Sequence, residues 1–234
     1  MKPRINEFGQ AIGSPVSGWS PPPFPPREAI EGRYCRLEPL DPERHAKDLY
    51  AANSLDDGRN WTYLSGVPPK TLAEYRDWMT AACLGKDPMF LAIVERAAGT
   101  PVGVASYMRI TPAAGSIEVG HIHYSERMKR TPIATEAMYL MMRKAFELGY
   151  RRYEWKCDTL NAPSRAAALR LGFTFEGIFR QALVYKGRNR DTAWYSVIDA
   201  EWPALRKAFE AWLDPANFDA QGGQRARLTQ LRVR

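Results

Sequence analysis

Histidine and cysteine are scarce in this 234-residue chain, with three of each. Cys35, Cys83 and Cys157 are far apart and odd in number, so they read as reduced thiols of a cytoplasmic protein rather than a disulfide framework. None has metal-ligand spacing. His121 and His123 share a strand, but two ligands without an acid or thiol nearby on that strand are too few, and no bound metal is expected. No apolar run reaches the roughly 18 residues of a membrane span, and no early charged-then-apolar segment marks a signal peptide. There is no internal repeat. What is present is 45% hydrophobic and 25% charged residues, as in a soluble globular protein, with length for one good core. The net charge of +7 suits an anionic cofactor as well as it suits RNA.

One stretch organises the rest. Arg127, Lys129 and Arg130 precede a Thr131-Pro132 pair, and apolar residues then recur at helical spacing from Ala134 to Leu148. Thr131 suits an N-cap and Pro132 the first helical position. The first turn, Pro132 to Thr135, contains no carboxylate. A helix start presents free N–H groups and the positive end of its dipole, so cations and hydroxyls around it make a place for a phosphate. The same residues also suit an ordinary capped helix behind a solvated basic loop.

In chain order, residues 1–30 form a Pro-rich arm, with Trp19 and Phe24 available to pin it to the body. Residues 31–213 form a single domain. A strand near Arg33–Leu40 precedes a helix capped by Asp41, and Thr71 with Glu74 opens a second helix. Strands follow at Phe90–Glu95, Pro101–Ile110 and Ile117–Tyr124. Strict alternation in the last puts Glu118, Gly120, Ile122 and Tyr124 on one face, and Ile117, Val119, His121 and His123 on the other. After the central helix, capped by Gly149, come a strand at Arg151–Cys157 and a short helix at Ala162–Leu171. Strands Phe173–Tyr185 and Thr192–Asp199 are joined by a basic tip, Lys186–Arg190, and Glu201–Leu213 is a last helix. Residues 214–234 make a basic tail, solvated or loosely docked, with nucleic-acid contact the lesser alternative. This order is an α+β layout on one mixed sheet.

Ile117-Glu-Val-Gly120, Ala134-Thr-Glu-Ala137, Cys157-Asp-Thr-Leu-Asn-Ala-Pro-Ser164, Leu171-Gly-Phe173, Glu176-Gly-Ile-Phe-Arg180 and Arg190-Asp-Thr-Ala-Trp-Tyr-Ser196 carry a resemblance. In this order and spacing the chain resembles the GCN5-related N-acetyltransferases, in the branch of the ribosomal-protein N-terminal acetyltransferases. The resemblance implies an α+β, three-layer fold. Its central sheet would be mixed, mostly antiparallel, flanked by helices and splayed between the fourth and fifth strands, here Ile117–Tyr124 and Arg152–Cys157. It implies acetyl-CoA as co-substrate, no metal, an amine acceptor that is a protein N-terminus or a small molecule, no membrane, and a monomer or homodimer. The pyrophosphate would lie on Lys129, Arg130, Thr131, Ile133, Ala134 and Thr135. Pro132 departs from the glycine usual there and removes one donor.

Attack of an amine on a thioester needs a held amine, donors for the developing oxyanion and a proton route. Backbone N–H from Val119, Gly120, His121 or Ile122 would serve the oxyanion. Glu118 is the candidate general base, or a structural carboxylate. Asn161 would bond the pantetheine arm and also suits a helix cap. The resemblance makes Ser164 the candidate acid, because Ala168 occupies the position where many members carry a tyrosine. Arg165 would meet a phosphate or stay solvated. Two alternatives remain: a basic RNA- or ribosome-associated module that has lost catalysis, and transfer of a larger acyl group such as succinyl.

Overall fold

The computed structural model describes residues 4–232. Residues 1–3 of the arm and 233–234 of the tail, with the expected tail cation Arg234, lie outside the described residues. The elements are β1 (Arg4–Ile5), β2 (Ala11–Ile12), β3 (Ile30–Glu31), β4 (Cys35–Pro39), α1 (Pro42–Asn53), α2 (Leu72–Ala82), β5 (Met89–Glu95) and β6 (Pro101–Thr111). Then come β7 (Ser116–Tyr124), α3 (Pro132–Glu147), β8 (Arg152–Asp158), α4 (Ala162–Arg170), β9 (Thr174–Tyr185), β10 (Arg188–Ile198), α5 (Trp202–Leu213) and α6 (Leu228–Leu231). Side chains fix where three helices start. Asp41 accepts from the N–H groups of Glu43 and Arg44, Thr71 from that of Glu74, and Asn161 from that of Ser164.

Eight strands form one sheet in the order β3-β4-β5-β6-β7-β8-β10-β9. Every pairing is antiparallel except β7 with β8, and that parallel pair needs the crossover that α3 supplies. One face carries the larger core. Leu91, Ile93, Ile117, Val119, Tyr153 and Trp155 of the strands pack there with Met138, Met141 and Met142 of α3 and Phe209 of α5. On the other face, Phe90, Ala92 and Val104 pack with Leu49 of α1 and Tyr75 and Met79 of α2. The result is helix, sheet and helix layers, as the resemblance implied.

One expectation needs correction. The β9–β10 turn is only Lys186-Gly187, both with positive φ (50° and 68°), so Arg188 and Arg190 are strand residues and not loop residues. The described tail is docked. Leu228 is buried, Trp212 Nε1 donates to Gln224 Oε1 at 2.9 Å, and Asn217 holds Ala226 from both sides of its amide. The arm is held by its prolines and by Trp19, whose ring lies against Gly115. Pro22 and Pro25 are buried and Tyr150 donates to the Pro23 carbonyl at 3.1 Å, while Phe24 stays exposed.

Helix α3 is tied to the start of β4 by one carboxylate. Glu136, buried, accepts from the backbone N–H groups of Arg33 (2.8 Å), Tyr34 (2.6 Å) and Cys35 (2.7 Å). Its replacement by alanine strips three donors of their acceptor. We expect a loss of about 2–3 kcal/mol of stability, read as a lower urea midpoint with unchanged slope.

Candidate functional site

Strands β7 and β8 pair only from Ser116↔Arg152 to Val119↔Trp155. Beyond that register β7 stays with β6 and β8 with β10, so Gly120–Tyr124 and Lys156–Asp158 diverge. Helix α3 follows the end of β7 and helix α4 follows the end of β8, so their N-termini stand on either side of the gap.

A bulge reshapes β7 at this point. Between the pairs Ser106↔Gly120 and Val104↔His123, β7 spends one residue more than β6, and His121 takes a left-handed φ of 48°. One extra residue exchanges the faces of everything after it. Ile122 and Tyr124 therefore join Ile117 and Val119 against the α3 core. The rings of His121 and His123 turn instead to Phe90 (4.9 Å) and Trp61 (4.9 Å), on the α1–α2 side. This overturns the face assignment expected from alternation.

The start of α3 is open. Thr131 has the extended backbone of an N-cap, but its hydroxyl donates to the Met128 carbonyl at 2.8 Å and no side chain caps the helix. The Thr135 N–H does not bond back to Thr131, whereas His45, Tyr75 and Arg165 bond back to Asp41, Thr71 and Asn161 at the other helix starts. Ile133 and Ala134 complete that turn, and Arg130 is exposed with a left-handed φ of 62°. Lys129 is committed elsewhere, to Asn60 Oδ1 at 2.9 Å and to Glu126. The Thr135 hydroxyl is buried and taken by Arg170 at 3.0 Å. Arg170 comes from the far end of α4, and nothing local in the sequence marks it. Burial lowers its pKa, and it pairs with no carboxylate among the described residues.

The start of α4 is capped. Asn161 Oδ1 accepts from the Ser164 N–H at 3.1 Å. Ser164 Oγ accepts from Trp155 Nε1 at 3.0 Å, which leaves its O–H to donate. Cys157 beside it is a buried thiol whose pKa is raised by burial, with Ser164 working against that. Arg165 donates to the Tyr195 hydroxyl and the Thr159 carbonyl, both at 3.2 Å.

On the opposite face Glu118 is buried and fully engaged. Arg109 reaches one oxygen at 2.7 Å and Lys156 the other at 2.8 Å. Lys156 continues to Glu154 at 2.6 Å, and Arg152 joins Glu154 to Glu176. The alternation Arg152-Glu154-Lys156 was readable in the sequence, but its partner Glu118 on the next strand was not. The Trp61–Tyr63 segment borders this side. Trp61 is buried, the Tyr63 hydroxyl donates to the Leu160 carbonyl at 3.0 Å, and Lys186 and Arg188 bond the carbonyls of Trp61 and Thr62.

The sheet is split at its one parallel pair, with an uncapped helix start on one side of the gap. Residues 35–174 match the acetyltransferase (GNAT) domain family, and the chain belongs to that family. Its activity is accordingly acetyl-CoA-dependent acyl transfer. A GCN5-related N-acetyltransferase of known structure from Brucella melitensis is 50% identical, with a TM-score of 0.91 over 93% of this chain and 99% of its own. The ribosomal-protein-serine acetyltransferase of Escherichia coli K12 is 26% identical over 166 residues, 68% of this chain and 90% of that protein. The microcin C7 self-immunity acetyltransferase MccE, solved with acetyl-CoA and AMP, shares the fold at 21% identity, with a TM-score of 0.62 over 71% of this chain and 93% of its own. No helix among the described residues is long and apolar enough to cross a membrane.

Proposed function

We propose that this chain acetylates a primary amine, either a protein N-terminus or a small molecule, by direct attack within a ternary complex in the cytoplasm. The observation that carries this reading is the open first turn of α3 beside the point where β7 leaves β8. The N–H groups of Ile133, Ala134 and Thr135, with Arg130, suit the pyrophosphate of acetyl-CoA. Arg170 adds a cation beneath them. The Asn161 side-chain amide suits the pantetheine arm, and backbone N–H groups between Val119 and Ile122 suit the thioester oxygen. Bound there, acetyl-CoA supplies an activated carbonyl. Ser164, already an acceptor from Trp155, donates its proton to the departing sulfur. Arg165 and Lys129, both held by protein groups, contribute charge rather than contacts. Glu118 has both oxygens occupied by cations, so in this reading it anchors Arg109 and Lys156 and does not take the amine proton. The buried, raised thiol of Cys157 favours transfer without a covalent enzyme intermediate.

Titration of acetyl-CoA into the protein tests this. We expect micromolar binding in the wild type and about tenfold weaker binding in Arg130→Ala and in Arg170→Ala, each losing one charge-assisted phosphate interaction. A screen of peptides beginning with serine and of small amines then identifies the acceptor. If acetyl-CoA does not bind, the transferase reading fails.

A further inference from the structure

The three histidines of this chain are held in three different ways. His45 has both ring nitrogens engaged, Nδ1 by the Asp41 N–H (3.1 Å) and Nε2 by Glu38 (3.3 Å). His123 is buried with both nitrogens unpartnered among the described residues. His121 alone is half-buried with one nitrogen bound: Nδ1 lies 2.8 Å from Ser106 Oγ, and Nε2 takes no partner among the described residues. Ser106 is fully buried, and its Oγ also lies 3.3 Å from the Gly120 carbonyl oxygen.

A hydroxyl has one proton to give. If Ser106 gives it to the Gly120 carbonyl, both contacts are satisfied only when His121 donates Nδ1–H to Ser106 Oγ. The other arrangement, Ser106 donating to Nδ1, leaves the Gly120 contact without a proton. The two-bond arrangement fixes the tautomer with the lone pair on Nε2. The bulge sets where that lone pair is presented, because it turns His121 out of the α3 core to the face that holds Glu118, just past the last β7–β8 pair. We propose that Nε2 of His121 is the general base that takes the proton from the attacking amine. This inference rests on the acetyl-transfer reading above.

The step balances within the groups already placed. The amine nitrogen forms its bond to the carbonyl carbon and gives one proton to Nε2. The carbon–sulfur bond breaks, the sulfur takes the Ser164 proton, and solvent restores both groups. Ser106 is a positioning residue that holds the ring. The groups facing the imidazole are Phe90 of β5, Ser106 of β6, Arg109 near the end of β6, and Asp87 just before β5, which itself accepts from the Arg109 and Ile110 N–H groups. Glu118 on the same strand is neutralised by Arg109 and Lys156. Burial lowers the His121 pKa, Arg109 adds to that and Asp87 opposes it, so the ring is neutral and able to accept a proton at pH 7.

Two measurements on the whole protein decide this without an identified acceptor. In protein labelled with 15N-histidine, the expected spectrum shows His121 at pH 7 as the neutral Nδ1–H form, with Nε2 unprotonated. In Ser106→Ala that tautomer preference is lost. Diethyl pyrocarbonate is expected to modify His121 ahead of His45 and His123, by peptide mass mapping, and saturating acetyl-CoA to suppress the labelling at least fivefold. A protonated Nε2, or labelling that acetyl-CoA does not suppress although calorimetry shows it bound, overturns the base assignment and leaves the transferase reading standing. Failure of acetyl-CoA to bind instead removes that reading. With any amine that the wild type acetylates, His121→Asn, which tolerates the left-handed backbone, lowers kcat about 100-fold. It also removes the limb of the pH profile on which activity falls as His121 gains its proton, below the ordinary histidine range. Unchanged kcat in that variant, with the same pH limb, overturns the assignment.

Discussion

Replacing Lys156 with methionine lowers the unfolding free energy by about 3 kcal/mol and the melting temperature by about 6–12 °C. The ammonium is nearly buried, with its side chain 7% exposed, and it bridges Glu118 and Glu154, whose side chains are 3% and 12% exposed. It also lies 3.9 Å from the centre of the Trp194 ring. Methionine fills the stem and keeps contact with the indole, so the loss isolates the charge. Each carboxylate keeps one cation, Arg109 for Glu118 and Arg152 for Glu154, which places the expected cost at the low end for a broken buried pair.

The effect has a pH signature. Burial raises the Glu154 carboxyl, but the bonds from Lys156 and Arg152 outweigh burial and hold its pKa below the ordinary glutamate value. A carboxylate depressed in the folded state contributes stability above its unfolded pKa and loses it as pH falls through the folded one. The gap between wild type and Lys156→Met is therefore widest at neutral pH and narrows as pH falls below the ordinary glutamate range. Denaturant curves at neutral and acidic pH measure this. A gap that stays constant would place the cost in packing against Trp194 and not in charge.

Local physics made most of the fold legible. Asp41, Thr71 and Asn161 are short polar residues just before apolar-periodic runs, and each caps the helix it was expected to open. The short apolar runs Phe90–Glu95 and Pro101–Ile110, separated by a turn at Ala97–Thr100, give strands buried on both faces. The bulge at His121 was not legible. Gly120 beside it is a residue that often marks a bulge inside a strand, but only the β6 partner shows where the register changes. The candidate site followed the same division. Ser164 and Asn161 lie within one turn of a helix start, so spacing placed them together. Glu118, Arg109 and Lys156 come from three strands, and Arg170 reaches Thr135 across 35 residues. Such meetings depend on sheet order, which no local pattern encodes.

Thr131→Asp is expected to leave stability unchanged or raise it by up to about 1 kcal/mol, while weakening acetyl-CoA binding at least 100-fold. The two effects have one cause. Thr131 already has the backbone of an N-cap, φ −107° and ψ 164°, yet its hydroxyl serves Met128 and the turn it opens has neither a capping side chain nor an acid. An aspartate there accepts from the free N–H groups of that turn and meets the positive end of the dipole, for about 0.5–1 kcal/mol, which offsets the lost bond to Met128. The same N–H groups are then unavailable to a phosphate, which also faces a new negative charge. Loss of two charge-assisted bonds is worth about 3 kcal/mol, or a little over 100-fold in affinity. Calorimetry on the wild type and the variant measures the binding, and thermal melts the stability. S-acetylpantetheine, which lacks the pyrophosphate, supplies the internal control, because its affinity stays unchanged if the variant acts only at the phosphate. Equal loss for both ligands would mean that the substitution distorts the cleft as a whole. Retained acetyl-CoA affinity with a raised melting temperature would show that the α3 start is a capping defect and not the place where the phosphate binds.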